Sequence, residues 1–378
     1  MALLSSIAPF STDTYLPAMS SMAEYFSSSA SRIQLTLTSF FIAFAFGQLI
    51  YGPLSERFGR KKPLYVGMVL FIVSSLLCAF ASNVEELILW RFFQALGASA
   101  GVVISKAIIT DRFDTKESVT IYSAIMIVMG VAPMIAPLVG GYINQFLGWK
   151  YIFIFLFGIG VLVTIFLLKI EETGEKSKNA SFFSPYLTLC KSRNFLVYSL
   201  VGGVSMGGMF AYITDAPFIF VDHFRFSGSE FAWIFALNAL AFVLASKLNI
   251  KLIAYSTPNI LIKRATLVQV IISCGLLALV ILIGDSVYTL IATLFLFMGT
   301  LGFIIANSTS LALENLHVNA SYAGALMGAM QFLIAGIASA LVGVIGMEGS
   351  LNLAIIMSVC SVLGAFILKN VTGKNSSS

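Results

Sequence analysis

Long uncharged apolar stretches are the feature that most limits what this chain can fold into. A run of about 18 or more such residues is long enough to cross the hydrocarbon core of a bilayer as a helix. Of the 378 residues, 58% are hydrophobic and only 10% are charged. A soluble domain carries about 25% charged residues, so the sequence predicts an integral membrane protein.

Twelve such runs can be counted, and each predicts a transmembrane helix. Continuous runs favour helices over a barrel, whose strands alternate apolar and polar residues. A helix also satisfies its own backbone hydrogen bonds in lipid. The predicted spans are 2–23, 34–54, 63–82, 87–109, 118–143, 150–169, 195–217, 230–253, 262–284, 286–308, 321–345 and 348–368.

The distribution of basic residues predicts the orientation of the spans. If residue 1 is cytoplasmic, the cytoplasmic loops and tail hold every Lys and Arg except Arg32, Lys150 and Arg225 outside and Arg91 within a span. The positive-inside rule then places both termini in the cytoplasm. The same distribution explains the formal charge of +5, so the expected partner is the bilayer and not nucleic acid.

The first span begins at Met1 and has no charged leading segment, and Asp13 interrupts its apolar stretch. These features do not fit a cleavable signal peptide. Two interpretations stay open: the first helix starts at the membrane interface, or the natural start codon lies upstream.

One long polar insertion divides the spans into six and six, which is the layout of transporters built from related repeats. Basic loops after the second and eighth spans support a repeat by position and charge. The predicted domains are an N-terminal six-helix bundle over 1–169, a central cytoplasmic linker over 170–194, a C-terminal six-helix bundle over 195–370 and a short cytoplasmic tail over 371–378.

Polar and small residues in three spans recur at helical spacing and so share one face of each helix. Such stripes either let helices pack closely or line a wet cavity, and the sequence leaves both interpretations open. The four cysteines share no metal-ligand spacing, and neither a metal nor a cofactor is expected. The stripes run through Gln34, Thr38, Ala45 and Gln48; Thr300, Phe303, Asn307, Ser310 and Glu314; and Gly324, Gly328, Gln331, Ala335 and Ser339.

The segment Gly52-Pro-Leu-Ser-Glu-Arg-Phe-Gly-Arg-Lys-Lys62 joins the second and third spans. Its glycines suit a tight turn, and its acidic residue is expected to pair with the basic cluster or to cap a helix start. The segment resembles the signature of the major facilitator superfamily, except for a Glu where that family usually has Asp. The resemblance implies a gating motif formed by Gly52, Glu56, Arg57, Gly59, Arg60 and Lys61.

Arg91 lies in Leu89-Trp-Arg-Phe-Phe-Gln-Ala-Leu-Gly97, a few residues inside the fourth span. A charge inside a membrane is a functional candidate; the alternative is a side chain that reaches the outer headgroups. The segment resembles the fourth-span motif of the superfamily, whose arginine is implicated in proton transfer. Because arginine does not itself titrate usefully, its expected role is to hold a nearby carboxylate ionised.

Asp13 is the leading candidate for that carboxylate. A helix that starts at Met1 places it about 18 Å deep, near the middle of the bilayer. Thr12-Asp-Thr-Tyr-Leu-Pro17 resembles the corresponding segment of the bicyclomycin-resistance (Bcr/CflA-type) drug exporters, which implies a proton carrier. The alternative is a structural polar residue that is hydrogen-bonded within the bundle.

The fifth span carries Gly130-Val-Ala-Pro-Met-Ile-Ala-Pro-Leu-Val-Gly-Gly141. Its small and kinkable face allows a neighbouring helix to approach closely, and simple tight packing is the alternative interpretation. The segment resembles the fifth-span signature of antiporters in the superfamily, which favours export. The residues of this predicted antiporter motif are Gly130, Pro133, Pro137, Gly140 and Gly141.

Asp215, in Tyr212-Ile-Thr-Asp-Ala-Pro-Phe218, stands where Bcr/CflA-type sequences usually have Gly. Three interpretations stay open. It is a second protonation or substrate-binding site, it lies near the outer mouth with Asp222 and His223, or it pairs with another polar span.

Aromatic, sulfur-containing and amide side chains of the spans suit the wall of a cavity for varied amphipathic molecules. Ordinary helix packing is the alternative. The predicted cavity residues are Tyr15, Gln48, Gln94, Tyr122, Met126, Met129, Tyr212, Phe218, Asn307 and Gln331.

The sequence as a whole resembles the major facilitator superfamily over nearly its entire length. The resemblance implies an all-α integral membrane protein with twelve transmembrane helices in two pseudo-symmetric six-helix bundles. It further implies a bacterial inner-membrane antiporter that exports small organic molecules by alternating access, is driven by protons and works as a monomer. The alternatives are an exporter or symporter of one metabolite such as an amino acid, or a multi-pass membrane enzyme or channel. The chain has no Gly-x-x-x-x-Gly-Lys-Ser/Thr loop, so direct use of ATP is not expected.

Overall fold

The computed structural model describes residues 1–112, 115–168, 172–173, 184–314, 320–346 and 349–372. Side chains are described for the same residues apart from positions 2, 110, 115–120, 122–124, 126, 127, 129, 130, 320, 321, 371 and 372.

The described residues form long α-helices with short connections. A 3₁₀ turn, Leu16–Ala18, lies between the first two helices, and a π-helical turn, Phe218–His223, follows the ninth. The helices are α1 Ala2–Asp13, α2 Met19–Tyr25, α3 Ala30–Phe58, α4 Lys61–Ala79, α5 Val84–Arg112, α6 Thr115–Phe146, α7 Lys150–Leu167, α8 Ser184–Lys191, α9 Arg193–Pro217, α10 Gly228–Leu252, α11 Pro258–Ile283, α12 Val287–Leu313, α13 Ala320–Ile345 and α14 Leu351–Thr372.

Each predicted span coincides with helical structure. Among the described residues, ten helical segments are long and apolar enough to cross a bilayer. The first predicted span is not one helix, because it is divided into α1, the 3₁₀ turn and α2. The proline in the turn, Pro17, has no backbone N–H to continue the helical hydrogen bonds. The predicted linker contains the short helix α8, and its remaining residues lie largely outside the described part.

Local sequence explains where several helices begin and end. Gly59 ends α3 with a φ of +85° and Gly284 ends α11 with a φ of +94°, a conformation that favours glycine. Ser227 and Glu230 form a capping box that begins α10, which satisfies backbone N–H groups that the first turn leaves free.

The two halves of the molecule meet mainly along two helix pairs, α3 with α13 and α6 with α10. Glycines allow the first pair to approach closely: a Cβ added to Gly336 would lie 2.7 Å from Ile42 Cγ1, and one added to Gly328 would lie 2.1 Å from Gln48 Oε1. The outward surfaces carry large apolar side chains, as at Leu282, which is 80% exposed. This arrangement fits a lipid surrounding and leaves the polar side chains at the helix interfaces.

Candidate functional site

Arg91 lies inside the first half and is fully buried. Its guanidinium carbon is 4.3 Å from the centre of the Phe40 ring, 4.7 Å from that of Tyr15 and 5.9 Å from that of Phe153. Such faces attract a desolvated cation through the ring quadrupole. The side chain therefore sits in an aromatic cage, and the interpretation that it reaches the headgroups is wrong.

One guanidinium nitrogen of Arg91 joins two elements. Arg91 Nη1 donates to the carbonyl oxygen of Ser11 at 3.0 Å and to Gln94 Oε1 at 2.5 Å. Gln94 Nε2 in turn donates to Ser75 Oγ at 2.8 Å. Because α1 ends at Asp13, the Ser11 carbonyl is one of the last four in the helix, which lack the usual partner. Arg91 thus stabilises the end of α1.

Asp13 is the last residue of α1 and is 5% exposed. Its Oδ1 accepts a hydrogen bond from Thr12 Oγ1 at 2.9 Å. Among the described residues it forms no ion pair, with Arg91 or with any other cation. The guanidinium instead binds the carbonyl oxygen of Ser11, two residues earlier in the chain, and stacks on rings.

The predicted antiporter motif lies directly behind this helix end. A Cβ added to Gly140 would lie 1.7 Å from the carbonyl oxygen of Thr14, so only glycine permits this approach of α6. A Cβ added to Gly141 would lie 3.4 Å from the Gly228 carbonyl oxygen and 3.8 Å from Pro17 Cβ. The motif therefore contacts both the break in the first span and the start of α10 in the second half.

The remaining residues of that motif and part of the predicted cavity fall on α6. Pro133 and Pro137 lie within the helix without ending it. The side chains of Tyr122, Met126 and Met129, and the surroundings of Gly130, lie outside the described residues. Their predicted roles stay predictions.

Asp215 lies near the end of α9, 6% exposed, and binds amides from two other helices. It accepts from Gln34 Nε2 at 3.1 Å and from Asn352 Nδ2 at 3.4 Å. Beside it, Ser339 Oγ is 3.0 Å from Thr214 Oγ1 and 2.8 Å from Thr38 Oγ1. Of the three interpretations of Asp215, pairing with other polar spans matches these contacts.

The predicted gating motif brings together residues from distant parts of the chain. Arg60 Nε donates to Asp111 Oδ2 at 2.8 Å. The carboxylate of Glu172 accepts from the backbone nitrogens of Arg60 at 2.6 Å and Lys61 at 3.1 Å, and so caps the start of α4. Gly59 leaves room for this carboxylate, because a Cβ there would lie 2.7 Å from Glu172 Oε2.

Glu56 does not pair with the basic cluster and does not cap a helix. It accepts a short hydrogen bond from the hydroxyl of Tyr322 on α13, in the other half. The expectation for Glu56 is wrong because Glu172 and Asp111 already occupy the backbone and guanidinium donors. Arg57 and Lys61 stack over the rings of Phe58 and Tyr65, at 5.6 Å and 5.9 Å.

A polar cavity of about 120 Å³ lies between the halves at the predicted cytoplasmic end. Burial and the nearby Glu56 carboxylate raise the pKa of Tyr186, a wall residue. Its phenol therefore stays protonated and donates to the Leu49 carbonyl at 3.2 Å. The buried amide nitrogen of Gln48, another wall residue, has no hydrogen-bond partner among the described residues. The polar wall consists of Gln48, Ser55, Glu56, Arg60, Lys106, Asp111, Tyr186 and Tyr322.

Of the predicted cavity residues with described side chains, only Gln48 lines this space. Tyr15 and Gln94 bind Arg91, and the Tyr15 hydroxyl also forms a short hydrogen bond with Thr36. The other four predicted cavity residues lie within the second half or at its outer edge. The polar ones among them contact residues of adjacent helices. The Tyr212 hydroxyl accepts a hydrogen bond from the Asn238 amide, and the Asn307 amide donates one to Asn249. Gln331 packs beside Gly203, and Phe218 lines an open pocket at the outer end.

Sequence reasoning missed several partners. Asn352 carries a detectable signal, a polar residue in an apolar run, and Gln34 belongs to a polar stripe whose pattern fits either helix packing or a cavity wall. Asp111 follows the fourth span directly. Glu172 and Tyr322 carry no local signal, since their partners are 112 and 266 residues away.

Comparison with known proteins decides the family. The sequence model of the Major Facilitator Superfamily matches residues 1–343. The chain belongs to this superfamily. Its spans and fold agree with that membership, which indicates a membrane transporter and not an enzyme.

Relatives of this superfamily member cover nearly the whole chain. The uncharacterized MFS-type transporter YdgK of Bacillus subtilis (strain 168) is 35% identical over 100% of this chain and 96% of its own length. The bicyclomycin resistance protein homolog of Haemophilus influenzae is 27% identical over 99% and 96%. Multidrug resistance protein D of Escherichia coli (strain K12) is 25% identical over 96% and 92%.

Solved structures confirm the major facilitator fold. A bacterial homolog to the human lysosomal transporter Spinster, inward-facing and occupied, matches with a TM-score of 0.74 at 16% identity, over 98% of this chain and 95% of that one. A D-xylose-proton symporter matches with a TM-score of 0.74 at 17% identity, over 97% and 95%. At these identities the likeness concerns the fold alone.

Proposed function

We propose that this transporter is a proton-coupled antiporter that exports small amphipathic organic molecules, drugs among them, from the bacterial cell across the inner membrane. The observation that carries the proposal is Asp13, a buried carboxylate at a break in the first span, where a caged arginine binds the Ser11 carbonyl before it and Gly140 contacts the Thr14 carbonyl after it. The names of the relatives, which include bicyclomycin, chloramphenicol and multidrug resistance proteins, support drugs as cargo.

The surroundings of Asp13 suit a group that gains and loses a proton. A buried carboxylate without an ion pair is costly in its charged form. No cation among the described residues forms an ion pair with Asp13 to offset this cost, so neutralisation by a proton is favoured. Asp13 can therefore bind either a proton or a polar group of the cargo, and exclusion of one by the other is the basis of antiport.

The break in the first span connects this exchange to the two halves. Thr14 touches Gly140 of α6, and Pro17 lies against Gly228 at the start of α10. A shift of the broken segment on protonation thus reaches the α6–α10 contact, where the halves meet. We infer that this contact helps to link proton binding to alternating access.

The polar cavity between the halves gives cargo a route toward the centre. With both termini in the cytoplasm, the cavity lies at the cytoplasmic end, and Gln48 lies at its wall. Cargo leaving the cell would enter here, and protons would enter from the opposite side.

A flux assay in proteoliposomes tests the role of Asp13. Vesicles that contain the protein, a luminal pH dye and an imposed pH gradient are exposed to chloramphenicol-like compounds. We expect cargo to move against the proton flow, with a luminal pH change whose sign reports antiport; the opposite sign would indicate symport. Asp13→Asn should lower this coupled flux at least tenfold, because the amide cannot carry a proton.

The matched control is Glu85→Gln, which removes an acidic residue that pairs with Arg32 on the surface of the first half at 2.9 Å. It should leave coupled flux unchanged. Full coupling in Asp13→Asn would refute the assignment of Asp13, whatever the cargo.

A further inference from the structure

Asp215 stands where the two halves touch at the predicted outer end. Gln34 is the fifth residue of α3, in the first half, and Asn352 is the second residue of α14, in the second half. Both donate side-chain amide hydrogens to the one carboxylate, at 3.1 Å and 3.4 Å. The Asp215 carboxylate thus joins elements that alternating access must separate.

A second polar contact crosses the same interface one turn deeper. Thr38 of the first half is 2.8 Å from Ser339 of the second, and Ser339 is also bound by Thr214, the neighbour of Asp215. Gly343 of α13 lies beside this site, where a Cβ would be in ordinary contact with Gln34 Oε1 at 3.5 Å. The cluster is therefore built from both halves.

The partners of Asp215 in the described structure are neutral. Arg32, two positions before Gln34 on α3, binds Glu85 at 2.9 Å instead. Further along the π-helical turn lie Asp222 and His223, and His223 binds Asp285 at 3.2 Å. Asn352 and Ser339, from α14 and α13, bring an amide and a hydroxyl. The strength of the cluster therefore depends on the charge of Asp215 itself.

We infer that Asp215 is a second proton-binding residue and works as an outer latch: ionised, it holds Gln34 and the outer ends of the halves together; protonated, it releases them. Hydrogen bonds to an ionised acceptor are about twice as strong as neutral ones, and a protonated acid loses acceptor capacity. The inference rests on the proposed proton-driven export, to which it adds that an external proton opens the outer side before Asp13 is reached.

Distance measurements between spin labels test the latch. In the full chain, with the four native cysteines replaced, labels are placed at Phe80 and Tyr288, which are 70% and 83% exposed at the outer ends of the two halves. The protein is reconstituted in lipid nanodiscs, and double electron–electron resonance is recorded at pH 8 and pH 5. We expect a longer distance to gain population at pH 5.

Asp215→Asn should show the longer distance already at pH 8, with an open-to-closed ratio raised about tenfold, and little response to pH. Glu85→Gln, whose contact stays within the first half, should respond to pH as the unmodified chain does. If Asp215→Asn does not fold, Gln34→Ala removes the donor from the other side and should raise the open population at pH 8.

An unchanged pH response in Asp215→Asn, or in Gln34→Ala where that variant is used, would overturn the latch. The same variants in the flux assay separate the two proposals. If the distance measurements show no latch but the coupled flux still depends on Asp13, the proposed function stands and only the latch is refuted. If the coupled flux does not depend on Asp13, the proposed function is refuted, and the latch, which rests on it, is refuted as well.

Discussion

At the scale of single residues, the cost of burying charge decides most of what surrounds the candidate site. Arg91 Nη1 binds a free helix carbonyl and an amide, and the guanidinium lies against ring faces, while its Nε and Nη2 have no hydrogen-bond partner among the described residues. Asp215 is satisfied by two amides from different halves. Among the described residues, Asp13 has only its neighbour Thr12 as a hydrogen-bond donor. Of the two carboxylates, Asp13 therefore has the fewer donors, which is what the proposed proton site needs.

The cage around Arg91 predicts that lysine cannot replace it. Lysine keeps the charge but is a compact ammonium, which cannot stack flat on a ring and donate to both Ser11 and Gln94. We expect Arg91→Lys to lower pH-driven transport more than tenfold at equal abundance in the membrane. Arg32→Lys, at an exposed surface pair, is the control and should transport normally. A normal rate in Arg91→Lys would mean that charge alone suffices.

At the scale of elements, the broken first span and α6 form one unit. Gly140 touches the Thr14 carbonyl just beyond the end of α1, and Arg91 binds the Ser11 carbonyl before it. Both contacts involve backbone carbonyl groups that would accept hydrogen bonds within the helix if the helix were continuous. The break is therefore held open by residues from two other helices.

Gly140→Ala tests this unit. The added methyl would lie 1.7 Å from the Thr14 oxygen, so α6 or the broken segment must move. Overpacking of this kind costs about 1–3 kcal/mol, and we expect a lower unfolding temperature together with strongly reduced transport. Gly158→Ala is the matched control, since a Cβ there meets nothing within 4 Å. Equal behaviour of the two variants would show that the contact has no role.

How far the sequence could predict the structure depends on the range of the interactions. Apolar runs predicted the spans, because lipid imposes length and composition on each helix separately. Pro17, which has no backbone N–H, disturbs the first span, but where the helix ends depends on Gly140 and Arg91. The binding of Arg91 to the free Ser11 carbonyl could not be predicted for the same reason, because no local pattern reports that carbonyl. The partners of Asp215 and Glu56 come from the other half of the chain and required the fold.

At the scale of the whole molecule, one helix pair joins the halves from end to end. Tyr322 binds Glu56 at the predicted cytoplasmic end of α3 and α13, Gly336 packs on Ile42 near the centre, and Gly343 lies beside Gln34 at the outer end. In this structure both ends of the pair are in contact. Opening toward either side must therefore break one set of these contacts.

Tyr322→Phe should weaken closure at the cytoplasmic end. A hydrogen bond to a charged group contributes about 1.5–3 kcal/mol, so we expect roughly tenfold faster alkylation of Ser55→Cys, a buried position on the cavity wall. The measurement uses a membrane-impermeant maleimide on everted vesicles, with the native cysteines replaced because Cys190 is exposed. Tyr288→Phe, exposed at the outer end, is the control. An unchanged alkylation rate would exclude Tyr322 as part of the closure.

The contact of Gly336 with Ile42 has a kinetic consequence. It lies near the centre of the pair, between the contacts that are broken on the two sides, so a rocking motion passes through it without favouring either end. A larger side chain at Gly336 would raise the energy barrier between the inward-facing and outward-facing states in both directions. It would leave the relative free energies of the two states unchanged. Under the proposed alternating access, we therefore expect the centre of α3 and α13 to set how often the transporter turns over, and the carboxylates at the ends to set which way it faces.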